Sequence, residues 1–166
     1  MILTECETPK GTHLIRDRMP APSIEPFTRA HLDGLIALVA AEGWTEYTAD
    51  VERTHRALTA PGVTTLVAIA GERVVGAIQV QSDGVIQAHV SMLLIDRSQR
   101  GTGLGSGLLR EGLDRAGGLQ LDIRTRTEGY YERLGATRSL GFRLTRADLG
   151  LCATDADRPA GDAPNS

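Results

Sequence analysis

Three runs rich in β-branched residues, TTLVAIA (64–70), RVVGAIQVQ (73–81) and GVIQAHVSMLLI (84–95), are joined only by Gly71-Glu72 and Ser82-Asp83-Gly84. Strand-like runs separated by so few turn residues predict an antiparallel meander. The next segment breaks the two-residue period. In RSQRGTGLGSGLL (97–109) glycine occupies positions 101, 103, 105 and 107. Leu104, Leu108, Leu109 and Leu113 then fall at helical spacing, which predicts a helix running to about Ala116. LQLDIRT (119–125) reads as the next strand, parallel to its predecessor because a helix intervenes.

The flanks complete the fold. Thr28 is a good N-cap for a helix carrying Leu32, Leu35, Ile36 and Val39 and stopping at Gly43. A more polar second helix is expected over 49–58, closed by Pro61. Downstream, EGYYERLG (128–135) predicts a short helix and TRSLGFRL (137–144) a final strand. The sum is an α/β fold with a mixed sheet over residues 23–151. An N-terminal arm (1–22) precedes it, and a tail (152–166) rich in Asp, Ala, Pro and Gly is expected to be disordered.

Composition narrows the function. A chain of 166 residues suits one domain, and its net charge of −3 argues against a nucleic-acid binder. Cys6 and Cys152 sit far apart without metal-ligand spacing. His13, His31, His55 and His89 form no HxxxH or HExxH pattern, so no metal site is expected. No apolar run approaches the ~20 residues of a membrane span, and the first residues lack a signal-peptide core. The expectation is a cytoplasmic protein with no membrane partner.

The glycines divide into two groups. Gly105 and Gly112 lie in the middle of the apolar half of their helix, where they let its axis approach the sheet closely. Gly101 and Gly103 precede or open the helix and have no such explanation. A helix N-terminus offers four unpaired N–H donors and about half a positive charge, a natural seat for phosphates. A Walker A loop would need Gly-Lys-Ser/Thr, and no lysine is present here. A dinucleotide fingerprint would need GxGxxG on a first βα turn, not after a meander. The pattern Arg/Gln-x-x-Gly-x-Gly/Ala is met in full by Arg100-Gly101-Thr102-Gly103-Leu104-Gly105.

With the order of elements, LLIDRSQRGTGLGSGLL and YYERLGA some 25 residues later, the chain resembles the GNAT superfamily of acyl-CoA-dependent N-acetyltransferases over residues 24–144. The resemblance implies a central sheet splayed between two parallel strands. It implies acetyl-CoA as cosubstrate, with no metal. The backbone N–H groups of Gly101, Thr102, Gly103, Leu104, Gly105 and Ser106 would cradle the pyrophosphate, and Arg100 stands beside it. Leu93, Leu94 and Ile95 match the strand whose backbone pairs with the pantetheine arm.

Tyr131 matches the family's general acid. With an unperturbed pKa of about 10 it is protonated at neutral pH and can donate to the leaving sulfur. Tyr130 must point elsewhere. The oxyanion donor would be a backbone N–H around Leu94. For the base, His89 comes first, since alternation puts it on one face with Ser91, Leu93 and Ile95 and histidine titrates near neutrality. Glu46, between the first two helices, is the second choice. Two departures stand out: Arg124 replaces a coenzyme-contacting asparagine, and Ala136 replaces a phenylalanine. AEGWTEYTADVE, with Glu42, Glu46, Asp50, Glu52, Trp44 and Tyr47, would form the acceptor wall. An acidic, aromatic lip suits a cationic amine, on a small molecule or a protein. A non-catalytic acyl-CoA sensor or scaffold remains the alternative, and whether the chain pairs as a homodimer stays open.

Overall fold

The computed structural model describes residues 21–125, 127 and 129–151. The expected arm, except its last two residues, and the expected tail, with Cys6, His13 and Cys152, lie outside the described residues.

The chain opens with β1 (Ser23–Pro26), a strand too short for any period to reveal, which pairs antiparallel with the strand that comes after the helices. Thr28 then caps a single tight turn at Arg29–His31, its N–H donating to His31 Nδ1 at 3.0 Å. α1 (Leu32–Ala41) continues from it with Leu32, Leu35, Leu38 and Val39 buried. A one-turn helix, α2 (Thr45–Thr48), leads to α3 (Val51–Leu58). Asp50 caps α3 by accepting the Arg53 N–H at 2.9 Å, so the second helix starts two residues later than its pattern suggests.

The meander is β2 (Val63–Ala70), β3 (Arg73–Ser82) and β4 (Gln87–Ile95). β4 begins three residues later than expected because Asp83 folds its own turn. Its Oδ1 accepts the N–H groups of Val85, Ile86 and Gln87 at 2.8, 2.8 and 3.1 Å, which takes 84–86 out of the strand. α4 (Leu104–Ala116) returns the chain to β5 (Gln120–Ile123). The sheet order is β1-β2-β3-β4-β5, antiparallel until β4 and β5, which pair in parallel. The mixed sheet expected from the sequence is therefore present.

Each face of the sheet carries its own core. α1 and α3 cover one, where Leu35, Val39 and Leu58 meet Val67, Ala77, Met92 and Leu94. α4 covers the other, where Leu104, Leu108 and Leu109 meet Leu66, Ile78, Val80, Ala88 and Val90. Burying each such leucine contributes about 1.5–3 kcal/mol. α4 lies close because Gly112 faces the sheet: a Cβ there would stand 3.1 Å from Ile78 Cδ1 and 3.3 Å from Val80 Cγ2. Gly112→Val is therefore expected to overpack this layer and destabilise the fold by about 1–3 kcal/mol, read from the urea midpoint.

Two expectations fail downstream of β5. The helix expected over 128–135 (Glu128 lies outside the described residues) is one turn at Glu132–Leu134. Residues 137–144 form no strand, and Leu140, Phe142 and Leu144 are 95%, 91% and 68% exposed. Alternation marks a segment that could pair, but here it joins no ladder: the outer side of β5 stays unpaired, with residues 136–139 and 141 across a cleft from it.

Candidate active site

The site begins with an irregularity in β4. Gln79 of β3 pairs with Met92 and Val80 with Val90, so Ser91 is an extra residue on β4, a β-bulge. Gln79 holds it in place. This side chain, 3% exposed, donates from Nε2 to the Ala57 carbonyl at 2.8 Å and accepts the Ser91 hydroxyl on Oε1 at 2.6 Å. One buried amide thus ties α3, β3 and the bulge together. Gln79→Leu would leave the Ala57 carbonyl and the Ser91 hydroxyl without that partner, and a loss of about 1–3 kcal/mol is expected in thermal or urea unfolding.

The bulge changes which side chains share a face. Ala88 and Val90 face α4 together with Leu93 and Ile95, whereas Met92 and Leu94 face α1. Simple alternation, which puts His89 alongside Leu93 and Ile95, is therefore wrong: one inserted residue moves every later side chain to the other face.

Beyond the bulge the sheet opens. β5 pairs with β4 only from Gln87↔Gln120 to Val90↔Ile123. The later residues of β4 keep β3 on one side, Leu93 against Ile78, Leu94 against Ala77 and Ile95 against Gly76, and have no strand on the other. A free edge in mid-sheet can pair with an extended ligand.

At the end of that edge stands the glycine turn. Gly101 and Gly103 have φ of +76° and +89°, and Gly103 is the N-cap residue of α4. A Cβ at either would meet nothing within 4 Å, so left-handed backbone, not crowding by the protein, calls for glycine here. None of the N–H groups from Gly101 to Ser106 donates to an acceptor among the described residues, and the first bond of α4 is Gly107 N–H to the Gly103 carbonyl at 3.0 Å. These unpaired donors at the N-terminus of a 13-residue helix suit a diphosphate.

Arg100 is already engaged. Its Nη2 donates to Glu42 Oε1 at 2.7 Å and its Nε to the Ile95 carbonyl at 3.2 Å, fastening the turn to the end of α1. Arg97 approaches the same carboxylate at 3.8 Å.

The opening between β4 and the chain after β5 widens into a cleft of about 590 Å³, lined by Trp44, Glu46, Tyr47, Ser91, Leu93 and Tyr131, and by Arg124 and Arg143. Tyr131 and Glu46 are thus brought together. His89 is not among the lining residues; it faces another groove, with Pro61, Gln81 and Asp122. Burial, reinforced by the neighbouring Tyr130 and opposed by a hydrogen bond with Thr125, raises the Tyr131 pKa above its ordinary 10.0, which keeps the hydroxyl protonated. Tyr130 meets Tyr131 edge to face at 4.9 Å and turns away, its hydroxyl 3.0 Å from Ser106 Oγ. That hydroxyl would also lie 3.0 Å from a Cβ on Gly105, so Gly105 makes room for it.

Gln79, Ser91 and Arg143 escape a sequence reading. The one signal present is the glutamine at 79, a polar residue inside an otherwise apolar strand. Among the described residues no three His, Cys, Asp or Glu side chains gather as a metal site would require, and no helix is long and apolar enough to cross a membrane.

This arrangement defines an acyltransferase domain. The family model described as acetyltransferase (GNAT) domain matches residues 29–146, and the chain belongs to that family. Solved structures agree on the fold. A transcriptional regulator from Bacillus halodurans C-125 superposes with a TM-score of 0.64 at 20% identity, covering 75% of this chain and 99% of its own. A Trypanosoma brucei acetyltransferase gives 0.62 at 17%, covering 75% and 99%. A ribosomal-protein-alanine N-acetyltransferase from Brucella melitensis biovar Abortus 2308 gives 0.61 at 16%, covering 76% and 99%. Among curated proteins, none matches this sequence.

Proposed function

We propose that this chain transfers an acetyl group from acetyl-CoA to a primary amine by direct attack of the amine on the thioester. The observation that carries the reading is the continuity of three features: unpaired N–H groups at 101–106, the free edge of β4 at 91–95, and Tyr131 in the cleft beside them. When bound, acetyl-CoA supplies an activated acyl carbon; the rest falls to the protein.

The amides of Gly101, Thr102, Gly103, Leu104, Gly105 and Ser106 hold the diphosphate, with the α4 dipole behind them. Leu93, Leu94 and Ile95 form the strand end that receives the pantetheine arm. Because the Asp96 N–H donates to the Val75 carbonyl, alternation commits the Leu94 N–H to β3 and turns those of Leu93 and Ile95 to the open edge, where one of them meets the developing oxyanion. Arg100, tied to Glu42 and the Ile95 carbonyl, holds the turn in register with the strand end. Tyr131 gives its phenolic proton to the departing sulfur. Glu46, on the wall of the same cleft, takes the proton from the amine directly or through a water, and the geometry favours it over His89.

Free-thiol release from acetyl-CoA in the presence of an amine panel tests this. Amine-dependent release supports a transferase; coenzyme binding with no release from any amine would leave only a sensor or scaffold.

A further inference from the structure

The lip that reads as acidic in the sequence is dispersed by the fold. Glu42 is bound to Arg100 at 2.7 Å. Asp50 is spent capping α3. Glu52 faces outward in a paired contact with Arg29, one arm of it 2.9 Å. Glu46 alone of the four lines the cleft, and it shares the lining with two arginines, Arg124 and Arg143. Neither guanidinium makes a hydrogen bond or ion pair with another described residue.

Resting on the acetyltransferase reading, we propose that the acceptor is a small amino acid, an amine carrying its own carboxylate, with the carboxylate held by Arg124 and Arg143 and the amine turned toward Glu46. Two guanidiniums against one carboxylate make a lip with an excess positive charge, which repels a plain alkylammonium ion and attracts a zwitterion by its anionic end. The guanidinium fork matches a carboxylate in two-bonded geometry, so two free arginines are better suited to such a group than to an amine. Glu46 and Arg143 both act on Tyr47, whose hydroxyl lies chiefly under the influence of burial, so both charges reach one half-buried tyrosine on the cleft wall. Trp44, with its ring 5.9 Å from that of Tyr47, closes the same wall. A cleft of 590 Å³ has room for a compact substrate.

The test compares free amino acids, β-alanine and 4-aminobutyrate with their amides and decarboxylated amines, by free-thiol release. At least one acid should exceed its amide in kcat/KM by about tenfold or more, the worth of one good charge-assisted contact. Arg124→Gln and Arg143→Gln, both at exposed positions, should each bring that ratio toward one while calorimetry shows unchanged acetyl-CoA affinity. Equal or better turnover of amides and plain amines overturns the proposal. So does a panel in which no amino acid reacts although acetyl-CoA binds. If either arginine variant loses acetyl-CoA instead, that guanidinium serves the coenzyme phosphates and the proposal fails. Absence of acetyl-CoA binding in the unsubstituted protein would instead bring down the acetyltransferase reading itself.

Discussion

Tyr131→Phe is expected to lower kcat by about 10²–10⁴-fold, the range a positioned general acid supplies, while acetyl-CoA affinity stays nearly unchanged. The substitution removes one oxygen and leaves the ring packed where it is, half-buried against the α4 core and edge to face with Tyr130. The pH profile adds a second reading. Burial raises the Tyr131 pKa above 10.0, so the proton needed by the leaving sulfur is retained through neutral pH and lost only on the alkaline side. An alkaline limb in kcat above about pH 10 is expected for the unsubstituted enzyme and should be missing from the residual activity of the phenylalanine variant. A variant that turns over at the normal rate would move the acid elsewhere.

Gly103→Val is expected to weaken acetyl-CoA binding by on the order of 10–100-fold, the loss of one or more charge-assisted hydrogen bonds. With φ at +89°, Gly103 holds a conformation that costs a side-chain-bearing residue about 1–2 kcal/mol, more for a β-branched one. The backbone will relieve that strain by rotating, which swings the amides of the α4 N-terminus out of line. Since a Cβ there meets no protein atom within 4 Å, the core should survive. Calorimetry gives the affinity and thermal unfolding the stability; a large loss of binding with a small loss of stability is the expected pair.

How much of this was legible depends on whether the cause lies near in sequence. The change of period between Ile95 and Leu104 announces the strand, turn and helix, and the glycines at 101 and 103 declare backbone geometry directly. Thr28 likewise signals its own cap. The bulge does not announce itself, because Ser91 is held by Gln79, which is in turn held by the Ala57 carbonyl 22 residues earlier. Without the bulge, His89 falls on the wrong face and becomes an attractive base. Glu42 and Arg100 lie 58 residues apart, so the carboxylate that anchors the turn reads in sequence as part of an acidic lip. β1 and α2 span four residues each, too few for a period to show. Residues 137–144 show the reverse error: Leu140, Phe142 and Leu144 alternate as strand residues do, but local pattern does not decide whether the neighbouring edge of β5 is joined.

Amide hydrogen exchange with and without acetyl-CoA offers the most direct examination of the diphosphate seat. The N–H groups of 101–106 have no described acceptor and should exchange fast in the free protein. With saturating acetyl-CoA, exchange should slow across 101–106 and along 91–95, while β2 stays as it was. Unchanged exchange at 101–106 under saturation, with protection appearing in some other groove, would contradict the coenzyme site and the chemistry built on it.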